Sequence, residues 1–402
     1  MSNKNEDFFS KKKDWSTVKD DLLGCYLEPY FAKILHTKKP LVYVDCFAGK
    51  GKFDDGNLGS PLIALNIFQN RLKQSGVQSE NQFIDANFIE LHYPESLLEN
   101  LSPYFSNKTL KVSVQAGNYE SKIHSILQDK SGYNLFLYID PYGVKNLDFN
   151  FLCSLAGQKF YSIEFLLNFN SHGFLRMACK FLKRDLPNEL NLDGLIEYDN
   201  EFSESPNKTE EMLNRVAGGN YWKDIVHSFY KGEYNFYSLE EKLTYEYCKR
   251  LRRSYLYVLN MPIRVKSGCS PKYRMIYATN HHDGAILMAD NIWRREKKLH
   301  EIQFGGQQVL FSLDYGNKNF SEMLPNYLST IHSLESLYKI MANFFTEYGV
   351  LCDSKEFEDI VRYLDNNGKL EIIRKPDKTK KGTPTKFYTE GKGKTVKLKW
   401  KI

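Results

Sequence analysis

The sequence predicts an α/β fold: a doubly wound sheet, a helical insertion and a C-terminal winged helix-turn-helix. Three observations carry that prediction. Leu41-Val42-Tyr43-Val44-Asp45 is an apolar run that ends on an acid and enters the loop Cys46-Phe47-Ala48-Gly49-Lys50-Gly51. Such a short continuous run reads as a strand buried on both faces, and the glycines let the next turn bring backbone close to a ligand. Phe136-Leu137-Tyr138-Ile139-Asp140-Pro141-Tyr142-Gly143 repeats the pattern later in the chain. Between and after these stretches, strand-like and helix-like segments alternate as far as residue 169.

The bulk properties bound the class. A chain of 402 residues has room for two or three domains. Aromatic residues make up 14%, too many for a disordered chain. No apolar stretch reaches the roughly 18 residues a membrane span needs, and residues 1–13 lack the apolar centre of a signal peptide. The seven cysteines are scattered, with no Cys-x-x-Cys pair, which predicts reduced thiols, a cytoplasmic setting and no zinc or other metal site. The net charge of +6 is uneven: Lys369–Ile402 carries 12 Lys and Arg against 3 Asp and Glu. A basic tail suits a polyanion partner; a solvated edge strand would carry the same composition.

Taken in order, residues 1–13 read as a loose arm. From Asp14, Val18, Leu22, Tyr26, Tyr30 and Ile34 mark a helix at three- and four-residue spacing, with Pro29 a kink point. The first strand is 41–45. Ser60 as N-cap with Pro61 at the first helical position starts the next helix. That start is later than a tight dinucleotide turn allows, and GxGxxG is absent, which disfavours NAD. A second strand ends at Glu90, placed to accept from ribose hydroxyls. A helix over 94–101 and a third strand around 112–114 follow. Asn118 stands beyond that strand, where an amide could pair with an adenine edge. Strand four ends before Asp140, and 165–169, reaching Asn168, is a fifth. Residues 171–250 break the alternation with helical patches and a Gly218-Gly219 hinge, and read as an insertion or cap. Two antiparallel strands, 255–264 and 272–279, and a helix over 284–299 complete a domain spanning 14–300. In 301–402, helices over 334–348 and 354–364 precede strands 370–374 and 385–388. The Lys-rich loop between them holds Lys375, Lys378, Lys380 and Lys381 as candidate nucleic-acid contacts.

In a doubly wound sheet, strands one and four lie side by side and ligands bind at their carboxyl ends. Asp140-Pro141-Tyr142 then faces whatever Gly49 and Gly51 hold. The Asp140 carboxylate and the Pro141 carbonyl can accept hydrogen bonds from an exocyclic amine, and the Tyr142 ring offers a stacking face for a flipped base.

These motifs resemble those of S-adenosylmethionine-dependent amino-methyltransferases, and more closely the three-Cys-motif partner family (TcmP). The resemblance rests on Asp45-x-Phe47-Ala48-Gly49-x-Gly51, Gly59-Ser60-Pro61, Phe88-Ile89-Glu90, Asp140-Pro141-Tyr142-Gly143 and Leu166-Leu167-Asn168-Phe169. It covers roughly residues 15–300. It implies a Rossmann-like methyltransferase sheet with an appended winged helix, S-adenosylmethionine as cofactor and a nucleic-acid base as substrate. It also implies a three-Cys radical-SAM-type partner protein and a mobile-element or phage-defence setting. The Asp-Pro-Tyr-Gly form is also similar to tRNA guanine-N2 methyltransferases. Carried over, Asp45 would fix the loop and approach the methionyl amine, and Phe47, Ala48, Gly49 and Gly51 would wall the cofactor. Glu90 would hold the ribose and Asn118 the adenine. Asp140, Pro141 and Tyr142 would hold the target, with Asn168 lining the site. One departure is His92, where a second acid often stands; it leaves the ribose contact to Glu90.

Two other classes fit parts of the sequence. A methyltransferase-like module that binds nucleic acid or a partner without transferring methyl would keep the fold and the basic tail. A nuclease or hydrolase would need a carboxylate cluster for a metal; Asp45, Asp54, Asp55, Glu90 and Asp140 are the acids available, and none of them stands in Asp-x-Asp or Glu-x-Lys spacing.

Overall fold

A computed structural model describes residues 14–75, 84–187, 206–264, 270–304 and 319–401. The expected N-terminal arm, 1–13, lies outside the described residues. The chain divides into two compact units, Met1–Asn280 and His281–Ile402.

The first unit is built on a seven-stranded sheet of order β3-β2-β1-β4-β5-β7-β6. Its strands are β1 (Leu41–Asp45), β2 (Ile84–Glu90), β3 (Leu110–Ala116), β4 (Asn134–Ile139), β5 (Ser162–Phe169), β6 (Tyr257–Ile263) and β7 (Tyr273–Thr279). β1 pairs in parallel with both β2 and β4, so Asp45 lies level with Phe88 and Tyr138. β7 alone is reversed, antiparallel to β5 and β6. Every residue of β1, β2 and β4 is buried, as the continuous apolar runs of β1 and β4 predict, and in β2 the burial takes in Asp85, Asn87 and Glu90.

Period-two alternation sorts the strand side chains to two faces. On one face, Tyr43 and Phe136 pack against helices α1 (Asp14–Thr37) and α2 (Ser60–Ser75). Tyr26 stacks on Phe136, and Phe68 meets both Phe31 and Tyr43. α1 runs unbroken through Pro29. Helix α3 (Pro94–Leu101) follows β2. On the other face, Val42, Val44, Leu137 and Phe165 share one apolar core with α4 (Tyr119–Leu127), α5 (Phe149–Leu155), α6 (Ser171–Phe181), α7 (Pro206–Ala217), α8 (Trp222–Tyr230) and α9 (Phe236–Leu251). The described part of 171–250 is therefore a packed layer of this unit. Gly218 is not a free hinge: its φ is +71°, and a Cβ there would sit 2.3 Å from the Phe149 ring. A positive φ and a close approach both call for glycine.

Two buried polar clusters tie the layers together. Glu164 of β5 accepts from the hydroxyls of Tyr26 on α1 and of Tyr277 on β7, the latter at 2.7 Å. Burial pushes the Glu164 carboxyl up to about 7. Glu240 of α9 is completely buried and accepts from Arg274 Nε at 3.0 and 3.2 Å. Burial alone would raise that carboxyl, but the Arg274 guanidinium holds it below its usual value.

The second unit begins at His281, earlier than the boundary expected near 301. Helix α10 (His282–Phe304), expected with the first sheet, belongs here. Its Asp290 accepts from the backbone N–H and the hydroxyl of Ser354, at 2.7 and 2.8 Å. There follow α11 (Phe320–Leu328), β8 (Glu335–Ser336), α12 (Leu337–Tyr348), α13 (Ser354–Asn366), β9 (Leu370–Lys375) and β10 (Thr395–Trp400). The three strands form an antiparallel sheet of order β8-β10-β9. The strand expected at 385–388 does not form: β9 pairs with Thr395–Trp400 instead. Val396 and Leu398 turn inward there, which 385–388 cannot match, since Tyr388 is its one buried residue. α13 carries a capping box between Asp353 and Glu356. Among the described residues, no helix is long and apolar enough to cross a membrane.

Candidate functional site

A cleft opens at the carboxyl ends of β1 and β4 and encloses about 750 Å³ including its open mouth. One wall is Phe47, Ala48, Gly49 and Gly51; the other is Asp140, Pro141, Tyr142 and Asn168. The two sequence motifs thus meet because β1 and β4 are parallel neighbours ending at the same level.

The glycine loop is held by backbone bonds. Cys46 N–H donates to Tyr138 O and Ala48 N–H to Ile89 O, both at 2.9 Å, so the loop still rides on the flanking strands. Gly49 and Gly51 have φ of +61° and +78°, where only glycine is unstrained. Gly59 N–H donates to Gly51 O at 2.9 Å, and a Cβ on Gly59 would lie 3.1 Å from that oxygen. The stretch between is a small hairpin closed by the Lys52–Leu58 bridge, which accounts for the late start of α2.

Asp45 and Glu90 lie behind this wall. Asp45 is completely buried; it accepts from Ser60 Oγ at 2.6 Å and from Phe47 N–H at 3.3 Å. Ser60, expected as an N-cap, is the first residue of α2 and spends its proton on Asp45. Burial pushes the Asp45 carboxyl up to about 7 against those two hydrogen bonds, with Asp140 and Asp20 adding to the rise. Both oxygens of Glu90 are engaged by backbone: Oε2 takes Gly49 N–H at 2.8 Å, and Oε1 takes those of His92 and Tyr93 at 2.8 and 3.2 Å. Glu90 therefore staples the glycine loop to the end of β2, a different set of partners from the expected ribose. Asn118, exposed at the N-terminus of α4, does not line the cleft.

Asp140 sits in a dense network. Lys19 Nζ lies 2.9 Å from Oδ1 and 2.7 Å from Oδ2. Asn168 Nδ2 donates to Oδ1 at 2.6 Å, and Tyr138 OH to Oδ2 at 3.3 Å. Asn168 Oδ1, in contrast, is buried with no hydrogen-bond partner. An unmet buried acceptor costs about 1–3 kcal/mol, so a ligand amine placed there would relieve it.

Sequence reasoning missed six side chains of the cleft. Ser16, Lys19 and Asp20 come from the first turns of α1, Lys52 and Phe53 from the hairpin after the glycine loop, and Tyr273 from the start of β7. Tyr273 arrives because β7 runs backwards, bringing its first residue to the end of β5. The signal for Lys19 was present: it lies beside Val18 and one turn before Leu22 and Leu23, a cation inside the apolar stripe of the helix. Lys375, Lys378, Lys380 and Lys381 are all exposed and belong to the second unit.

The described cysteines are all free thiols. Comparison with protein-family models finds no match for the chain, and comparison with curated proteins finds none either.

Proposed function

We propose that this chain transfers a methyl group from S-adenosylmethionine to an exocyclic amine of a nucleic-acid base. The observation that carries the reading is the facing of the Phe47–Gly51 wall and the Asp140-Pro141-Tyr142 wall across one cleft. A reversed β7 inserted beside β5 also sets the sheet apart from the dinucleotide-binding order 3-2-1-4-5-6.

The residues present fit the cofactor in two respects. The Phe47–Gly51 loop lines the cleft at the carboxyl ends of β1 and β4, where ligands bind in such sheets, and the buried Asn168 Oδ1 in the same lining has no hydrogen-bond partner. When bound, S-adenosylmethionine supplies a methyl group already activated as a sulfonium, so positioning carries most of the work. The chain's own residues then do the following. Pro141 O and the unmet Asn168 Oδ1 would accept from the target amine beside Asp140; as the N–C bond forms and the donor's S–C bond breaks, the nitrogen would shed one proton to solvent at the open mouth of the cleft. Lys19 and Asn168 fix the Asp140 carboxylate. Tyr142 offers its ring to the base.

The second unit supports a nucleic-acid partner. Helix, short strand, helix, helix, strand, loop and strand, with sheet order β8-β10-β9, is the order of a winged helix-turn-helix. The three-Cys radical-SAM-type partner protein belongs to the same proposal and rests on the motif resemblance.

One observation favours a second reading, a module that binds without transferring methyl: both oxygens of Asp140 and both of Glu90 already accept hydrogen bonds from within the chain. Asp140→Ala separates the two. Under the first reading it abolishes methyl transfer, followed by mass spectrometry of digested nucleosides, and leaves S-adenosylmethionine binding intact by calorimetry. Undiminished transfer in that variant would remove Asp140 from the mechanism, and absence of cofactor binding in the parent protein would favour the silent module.

A further inference from the structure

The positive charge of the second unit gathers on one substructure. Between β9 and β10 the chain makes two tight turns. In the first, Thr379 N–H donates to Thr383 O at 2.8 Å and Gly382 N–H to Thr379 O at 2.9 Å, which puts Lys380 and Lys381 at an exposed tip. In the second, Gly391 and Lys394 exchange backbone hydrogen bonds at 2.9 and 3.0 Å, and exposed Lys392 stands between them with φ of +51°. β10 then alternates: Val396 and Leu398 are buried, Lys397 is exposed and Lys399 half-buried. Same-face neighbours on a strand are about 7 Å apart, so Lys397 and Lys399 stand in a row on β10. Lys399 pairs with Glu371 and Arg374 with Asp365. Among the described residues, Lys375, Lys378, Lys380, Lys381, Lys392 and Lys397 have no acidic partner.

Helix α13 has the opposite character. In a winged helix-turn-helix this second helix of the pair is the one that enters the major groove. Here it carries Glu356, Glu358, Asp359 and Asp365 against Lys355 and Arg362. Arg362 is bound to Asp359 at 2.7 Å. A net-negative helix is repelled by the phosphates that line a groove.

We infer that the β9–β10 hairpin, and not helix α13, is the nucleic-acid-binding surface, and that it grips the phosphate backbone without reading base edges. The inference rests on the nucleic-acid reading above and narrows it: this unit supplies affinity and leaves sequence choice to the cleft of the first unit. Neutralising phosphates with lysine makes affinity fall steeply with salt, whatever the sequence.

The test uses the full chain and labelled random-sequence duplexes, as DNA and as RNA, followed by fluorescence anisotropy over a salt series. Lys380→Glu with Lys381→Glu, and separately Lys392→Glu with Lys397→Glu, should weaken binding of at least one duplex equally across sequences. Each pair should also flatten the slope of log affinity against log salt by about 1 per lysine. The same pairs changed to Gln should flatten it in the same direction, which excludes a trivial effect of charge reversal. Lys355→Glu with Arg362→Glu on α13 should leave affinity within about twofold. Loss of affinity in the helix variant with none in the hairpin variants overturns the inference, as does failure of both duplexes to bind at low salt. Calorimetry with S-adenosylmethionine on the same variants keeps the two readings apart. Lysine-dependent binding by a protein that takes no cofactor would sink the methyl-transfer reading alone. Cofactor uptake with lysine-independent nucleic-acid binding would sink this one alone.

Discussion

Replacing Lys19 by Met keeps most of the side chain's apolar stem and removes the ammonium that bridges both oxygens of Asp140. The two side chains are 10% and 22% exposed. Breaking a fully buried ion pair by deleting one partner costs about 3–5 kcal/mol. Here Asp140 keeps the Asn168 and Tyr138 donors and reaches some solvent, so the cost falls to that of one hydrogen bond to a charged group, about 1.5–3 kcal/mol. Asp140→Asn alone costs a similar amount, because it strands the ammonium beside the Tyr273 ring, whose centroid is 5.2 Å away. The double variant loses no partner to a stranded charge. It should therefore be more stable than the sum of the singles by about 1–2 kcal/mol, within the range for residues in contact. Chemical denaturation of the parent, both singles and the double measures this coupling. A half-buried pair is weakly screened, so the coupling should persist as salt is raised. Costs that add to within about 0.3–0.5 kcal/mol would mean the two residues do not interact, and the account of how α1 completes the cleft would fail.

Three further outcomes follow from the same geometry. Glu90→Gln leaves one acceptor oxygen for three backbone N–H groups and turns an NH2 toward them; stability should drop by about 1–3 kcal/mol and S-adenosylmethionine affinity with it, and an unchanged melting temperature would remove the staple role. Asp45, raised to about 7, holds a proton in the folded state that the unfolded chain gives up near pH 4. Its contribution to stability is full below pH 4 and is lost as pH rises through 7, so the non-titrating Asp45→Asn should gain on the parent across that window; parallel melting curves against pH would contradict this. Arg274→Met leaves Glu240 buried and unpaired, at a cost of about 3–5 kcal/mol in the first unit, whereas Arg274→Lys should recover part of it in the same unfolding measurement.

The sheet was legible because its central strands are buried on both faces, and that requirement writes itself as uninterrupted apolar runs. β1 and β4 read directly from 41–45 and 135–139. Elements whose pattern is short or interrupted were not legible: α11 carries Pro325, and β8 is two residues long. The sequence points to 385–388 for the hairpin strand because its Lys-rich stretches give little periodicity. Val396 and Leu398 show the alternation that the pairing with β9 uses.

The candidate site divides along the same line. Local backbone chemistry determined the glycine loop and the Asp-Pro-Tyr turn, since φ preferences and strand ends depend on a few adjacent residues. Which groups converge on them depends on the order and direction of strands and on where α1 lies, and no local pattern encodes that. Tertiary structure alone therefore decided that Lys19, 121 positions away in sequence, grips Asp140. It decided that Glu90 spends its carboxylate on the loop, and that a reversed β7 delivers Tyr273 to the cleft. A carboxylate at a strand end is a residue type until the fold chooses its donors, and burial then makes that choice binding, because a carboxylate removed from water is costly unless it finds partners.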